Sequence, residues 1–140
     1  MTETSPLGTL GSLGPESEGF DRDQIIAQKL KQGRAPFGVE IKVLRDGVSS
    51  PRDGETFGNL VVRGAAIAAG YFKGEGGNIL DEDGFFDTGD VATIDEHGFM
   101  QITDRAKDVI KSGGEWISSI DVENVAVGAP GVAVAAVIGK

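Results

Sequence analysis

The stretch from Gly84 to Glu123 constrains the chain most, because it sets two short alternating segments, a charged joint and a glycine turn in one continuous run. Val91, Thr93 and Ile94, and then Phe99, Gln101 and Thr103, read as β-prone segments. Between them Asp95-Glu96-His97-Gly98 supplies polar turn residues ending in a glycine that tolerates positive φ, so a hairpin is predicted. Asp104-Arg105-Ala106-Lys107-Asp108 follows with four charges in five residues, which predicts an exposed connector rather than a buried strand. Val109 and Ile110 resume an apolar strand that stops at Ser112-Gly113-Gly114, where the backbone can turn tightly or admit a ligand closely.

The rest of the chain suits a sheet-rich neighbour for that run. Glycine takes 22 of 140 positions, roughly twice average usage, which favours many turns and short strands over a helix bundle. A chain of this length supports one domain that buries about two-thirds of its unfolded surface. Its 13 basic and 22 acidic residues give 13 − 22 = −9, and without a basic cluster this excludes nucleic-acid binding by phosphate neutralisation. The lack of cysteine and the single histidine exclude disulfides, thiolate catalysis, cysteine-based zinc sites and a histidine-rich metal centre. No run approaches the ~20 apolar residues of a membrane span, and MTETSPLGTL lacks the features of a signal peptide, so a soluble cytoplasmic protein is expected.

Met1 to Gly19 reads as loop. Its glycines Gly8, Gly11 and Gly14 match neither a dinucleotide fingerprint nor a phosphate loop. It starts with Thr2, Glu3, Thr4 and Ser5, and two readings stay open: a frayed terminus, or the edge of a phosphate or metal site. A helix is predicted from Asp21 to Gln32, capped by Asp21, with Ile25, Ile26 and Leu30 on an apolar face and Gly33 as its stop. From Phe37 the period becomes two, with Val39, Ile41 and Val43 in a strand that ends at Arg45-Asp46-Gly47. Gly58 to Gly64 is a second strand, antiparallel to the first. Ala65 to Phe72 suggests a helical turn, and Gly74 to Gly77 a loop.

Asp81-Glu82-Asp83-Gly84 is no calcium loop, because its glycine comes too early. Asp87-Thr88-Gly89 is the tripeptide of aspartic proteases, but Asp90 adds a like charge where a small residue belongs. A polar loop in which Thr88 and Asp90 satisfy local backbone donors is expected instead. Ser118 or Ser119 caps a further helix closed by Gly128 and Pro130, and Val132, Val134, Val137 and Ile138 suggest a last buried strand.

Three motifs in order, Met1 to Pro6, Gly84-Phe85-Phe86-Asp87-Thr88-Gly89-Asp90 and Asp104 to Trp116, make the whole chain resemble the adenylate-forming acyl-CoA synthetases, in particular the fatty-acid CoA ligases. The resemblance implies an α+β chain, a distorted barrel-like β-rich subdomain followed by the start of a small mobile domain. Residues 1–103 would end the adenylating domain, 104–109 form the hinge linker, and 110–140 begin the C-terminal domain. The chain opens inside the first motif and stops before the lysine that family uses in adenylation, so a segment of a longer enzyme, inactive alone, is expected. The implied reaction activates a carboxylic acid with ATP to an acyl-adenylate and passes the acyl group to CoA, with Mg²⁺ as the metal. By the same resemblance Thr2 contacts phosphate and acyl oxygens, Glu3 holds Mg²⁺, Asp90 takes the ribose hydroxyls, and Ile102, Arg105 and Trp116 meet the nucleotide. Asp104 is the hinge, and Lys111, Ser112, Gly113 and Gly114 face CoA, with Thr2, Glu3 and Lys111 nearest the chemistry. A non-catalytic β-rich binding module derived from that family is the alternative from another class.

Overall fold

Five antiparallel strands carry the fold of the computed structural model, which describes residues 1–5 and 7–139; Pro6 and Lys140 lie outside the described residues. The strands are β1 (Val39–Arg45), β2 (Val48–Ser49), β3 (Gly58–Gly64), β4 (Phe86–Ile94) and β5 (Met100–Arg105), in the spatial order β2-β1-β3-β4-β5. The α+β class is as expected. β2 and β5 are the outer strands, β5 being met on its far side by the bridge of Gly33 to Met100, and among the described residues the sheet does not close into a barrel. A second, two-stranded sheet pairs β6 (Ile110–Ser112) with β7 (Glu115–Ile117). Helix α1 (Arg22–Leu30) precedes the sheet and α2 (Ser119–Val127) follows the small hairpin.

Period-two alternation builds the core. Ile41 and Val43 of β1, Leu60 and Val62 of β3, Phe86, Ala92 and Ile94 of β4, and Met100 of β5 form one buried cluster. Val91 and Phe99 are fully buried as well. Phe85 is closed over by the cationic side chains of Lys42 and Arg63, 4.2 and 4.4 Å from its ring centroid.

Helix α1 begins as its sequence dictates. The Asp21 carboxylate accepts from the Gln24 amide at 2.8 Å, and the Gln24 side chain accepts from the Asp21 amide at 2.9 Å, a reciprocal capping box. Its expected apolar face is not buried: Ile26 and Leu30 are exposed, and Gln28 is the buried residue of the helix. The helix lies over the turn of the β4–β5 hairpin, whose polar surface calls for polar contacts. Asp95 supplies them. Its Oδ2 accepts from Gln28 Nε2 at 2.9 Å and Lys31 Nζ at 2.6 Å, while its Oδ1 accepts from the amides of His97 and Phe99, both at 2.9 Å.

Other expectations are corrected at their ends. The first strand begins at Val39, and Phe37 before it is exposed. Val132 to Ile138 is not a strand: Val134 and Ile138 are exposed, and among the described residues no sheet edge pairs with the segment. Gly33 does more than stop a helix. It holds φ at +101°, and a Cβ there would meet the Leu10 carbonyl, whose segment pairs with Arg34 and pins the N-terminal loop to the sheet. No helix among the described residues is long and apolar enough to cross a membrane.

Burial pushes the Asp95 carboxyl upward, but the hydrogen bonds from Lys31, the Phe99 amide and Gln28 outweigh it, so its folded pKa lies below the usual carboxylate value. Its stabilising contribution is therefore present above the unfolded carboxylate range, about pH 4, and is lost as the pH falls through the lowered folded value. Asp95→Ala should destabilise the chain by about 3 kcal/mol in urea unfolding at pH 7. Asp95→Asn should remove this part of the acid dependence, and an unchanged acid limb in that variant would contradict the assignment.

Candidate functional site

Two irregularities in strand pairing create the site. Between β3 and β4 the register shifts by two residues, so that Leu60 alone faces Thr88, Gly89 and Asp90. The segment read as a loop is thus a bulge inside β4. Thr88 Oγ1 donates to the Leu60 carbonyl at 2.9 Å and accepts from the Asp90 amide at 3.1 Å, Asp87 Oδ1 accepts from the Gly89 amide at 2.9 Å, and Gly89 takes φ +70°. Asp87 is thereby occupied with its own turn.

Between β4 and β5 the register shifts by one. Ala92 pairs with Ile102, Val91 with Asp104 and Asp90 with Arg105, which leaves Thr103 as the extra residue. Its hydroxyl donates to the Val91 carbonyl at 3.2 Å. In an unbroken ladder Asp90 would stand opposite Asp104, two carboxylates facing each other, which is unfavourable. The bulge gives Asp90 the guanidinium of Arg105 instead, Nη1 to Oδ1 at 2.9 Å. Asp90 is mostly covered, with 13% of its side chain accessible, whereas Arg105 is 63% accessible. Among the described residues no donor engages Asp90 Oδ2.

Asp90 opens onto a cleft of about 260 Å³ that also has Met1, Thr4, Thr88, Gln32 and Ile102 in its wall. Gln32 Oε1 accepts from the Ile102 amide at 2.6 Å and holds that strand edge in place. Beside the cleft, Thr2 and Glu3 sit on a short 3-10 turn, Thr2 to Thr4. The Glu3 carbonyl accepts from the Ala68 amide at 2.9 Å, and its Oε1 accepts from the Tyr71 hydroxyl at 3.0 Å. A backbone hydrogen bond first and the Tyr71 hydroxyl second hold the Glu3 carboxyl below the usual range, and the carboxylate in turn raises the Tyr71 phenol. Among the described residues no three acidic, histidine or cysteine side chains gather into a metal cluster. A lone ionised carboxylate nevertheless suits Mg²⁺, which commonly takes one or two carboxylates and completes its shell with water and substrate phosphates.

The residue after the bulge faces inward. Asp104 is 3% exposed, which corrects the expectation of an exposed connector at that position. Its Oδ2 accepts from the Ser119 amide at 2.6 Å and its Oδ1 from the Arg105 amide at 2.7 Å. Ser118 caps α2 by accepting from the Asp121 amide at 3.2 Å and donates to the Thr103 carbonyl at 3.1 Å. The β-bulge and the N-terminus of α2 are therefore joined through Asp104 and Ser118, with the carboxylate at the favourable end of the helix dipole.

Lys111, Ser112, Gly113, Gly114 and Trp116 are not in the Asp90 cleft. They form the β6–β7 hairpin, where Lys111 lies across from Trp116 with its ammonium 4.1 Å from the ring centroid, and Gly113 and Gly114 turn the chain at φ +59° and +86°. The structure thus brings Asp90 and Ile102 into one cleft with Met1 and Thr4 of the N-terminal turn, sets Arg105 against Asp90 but outside the lining of that cleft, and leaves the glycine hairpin in a separate cleft. Thr4, Thr88 and Gln32 are cleft residues that sequence reasoning did not assign. Thr88 had a visible signal in its tripeptide, but Gln32 looked only like the end of a helix.

No protein-family model matches the chain. It is 48% identical over 139 residues to a medium-chain-fatty-acid–CoA ligase from Ectopseudomonas oleovorans, covering 99% of itself and 25% of that protein. It is 49% identical over 140 residues to a 3-methylmercaptopropionyl-CoA ligase from Ruegeria pomeroyi, covering 99% of itself and 26% of that protein. A solved structure of o-succinylbenzoate CoA synthetase from Bacillus subtilis in complex with an acyl-adenylate intermediate superposes with a TM-score of 0.74 at 33% identity, over 100% of this chain and 27% of that one. The same enzyme in complex with ATP and magnesium ion gives 0.73 at 33% identity. The chain spans about a quarter of the length of the curated relatives it matches.

The buried Asp104 bonds lead to a test. Asp104→Ala leaves the Ser119 and Arg105 amides without their acceptor and should destabilise the chain by about 1–3 kcal/mol. Hydrogen exchange at residues 118–121 should accelerate, with β3 amides unaffected under native conditions; uniform acceleration through both regions would contradict a local tie.

Proposed function

Over its whole length the chain is homologous to one segment of the adenylate-forming acyl-CoA ligases, and from that premise we propose that it forms the nucleotide clamp and hinge of an AMP-forming fatty-acid CoA ligase. The reaction activates a carboxylic acid with ATP, releasing pyrophosphate, and the CoA thiol then displaces AMP from the acyl-adenylate. This chain alone supplies only part of that machinery.

One observation carries the reading. Asp90 lies at the cleft with one oxygen held by Arg105 and the other without a donor among the described residues. A carboxylate so placed can accept from a pair of vicinal hydroxyls, as on a ribose, while the planar Arg105 fork faces the sugar or phosphate. Ile102, beside Asp90 in the cleft wall, gives the nucleotide an apolar contact. Thr2 supplies a hydroxyl to phosphate and acyl oxygens. Glu3 would hold Mg²⁺, whose chemistry when bound is to neutralise phosphate charge; Tyr71 fixes the orientation of that carboxylate.

Residues 1–103 are assigned to the adenylating domain, 104–109 to the hinge and 110–140 to the start of a mobile domain. Asp104 then joins the two parts at the first turn of α2. Rotation about it would carry Lys111, Ser112, Gly113 and Gly114 toward the CoA arm and Trp116 toward the nucleotide, and the glycines admit a close thiol approach. The net charge of −9 fits small-molecule substrates rather than nucleic acid, and the reaction is assigned to the cytoplasm.

Two outcomes test this reading. With ATP, Mg²⁺, a fatty acid and CoA, the 140-residue chain should produce no acyl-CoA, and measurable turnover would overturn its assignment as a partial site. In NMR titrations AMP should shift the amides of residues 88–91 and 102–105, and Asp90→Ala should weaken that binding about 10- to 100-fold, the loss of hydrogen bonds to a charged group. Equal affinity in the variant would remove the clamp.

A further inference from the structure

The small hairpin is held to the large sheet at a second point, far in sequence from the Asp104 joint. Arg45, the last residue of β1, donates from Nη2 to the Gly114 carbonyl at 2.7 Å. The same guanidinium lies 6.0 Å from the Trp116 ring centroid, with Lys111 on that ring as well. Among the described residues Arg45 has no carboxylate within ion-pair distance, although Glu55 and Glu115 share the cleft that it lines. Its polar contact with the hairpin is therefore directed at a backbone carbonyl in the glycine turn.

The two joints differ in kind. At one, Asp104, Ser118 and Ser119 are buried and bonded to backbone groups. At the other, the Arg45 bond is exposed to solvent. A solvated donor and carbonyl can part and take water in exchange, whereas separating a buried carboxylate from its amides leaves unpaired groups. Glycines at both turn positions let the backbone change conformation without side-chain strain.

We propose that Arg45 is a positioning residue: it clasps the Ser112-Gly113-Gly114 turn and Trp116 against the end of β1, and this exposed clasp opens more readily than the buried Asp104 joint. Lysine replaces it only in part. An ammonium reaches a carbonyl as a point charge but offers no planar fork to lie over an indole. In catalytic terms, which rest on the ligase reading, the clasp fixes where the glycine turn waits before it meets CoA.

Trp116 is the single tryptophan of the chain, so its fluorescence reports the clasp with no substrate present. In the full 140-residue chain, Arg45→Ala should raise the acrylamide quenching constant of Trp116 about twofold and accelerate hydrogen exchange at residues 113–117 about tenfold. Exchange in β3 and β4 and the far-ultraviolet circular dichroism should stay as in the parent chain. Arg45→Lys, which keeps stem and charge, should show the same selective changes to a smaller extent. Unchanged quenching and exchange in both variants, or equal loosening of core and hairpin in Arg45→Lys, would overturn the proposal. Neither readout involves nucleotide or acid, so failure of the clasp is distinguishable from failure of the ligase reading.

Discussion

A single extra residue in β5 decides what the acidic side chains around it can do. With Thr103 bulged out, Asp90 meets Arg105 and Asp104 meets Val91; without it, two carboxylates would oppose each other across the ladder. Bulges re-aim side chains in this way at small cost, because one hydroxyl and one carbonyl satisfy the disturbed backbone. Here the Thr103 hydroxyl bonded to the Val91 carbonyl is that repair. The candidate nucleotide clamp and the candidate hinge are thus consequences of the same irregularity, one on each side of it.

Three aspartates in this region have three different tasks, set by surroundings rather than by type. Asp95 is buried against amides, an amide side chain and an ammonium, and lashes α1 to a hairpin turn. Asp104 receives backbone amides and starts a helix. Asp90 alone keeps an oxygen without a donor among the described residues, beside a cleft rather than inside a packed joint. A buried carboxylate with its acceptor sites filled is structural; one left partly unfilled at a cavity is available to a ligand.

Much of this was legible in the sequence where periodicity or capping chemistry speaks locally. The helix cap at Asp21, the alternation through Ile41 and Val43, the Asp95 turn and the Ser118 cap all act within a few residues, and all are where the residues imply. What escaped depends on partners distant in sequence. The apolar spacing of Ile25, Ile26 and Leu30 gave no hint that α1 would rest on Asp95, nor did the charge run reveal that Asp104 would be buried under α2. The two-residue β2 and three-residue β7 are too short to leave a pattern. Val132 to Ile138 has the composition of a strand, but among the described residues it pairs with no sheet edge. Among site residues, Asp90 and Arg105 were visible as motif members, while their mutual contact was not, since a one-residue shift in register separates attraction from repulsion.

The register itself is therefore the quantity to measure. In a nuclear Overhauser spectrum of the isotope-labelled chain, cross-strand contacts between the backbone protons of Asp90 and Arg105 and of Val91 and Asp104 are expected, with Ala92 opposite Ile102 below the bulge. Contacts that instead pair Val91 with Thr103 and Asp90 with Asp104 would show an unbroken ladder, and neither the clamp nor the hinge described above could then form.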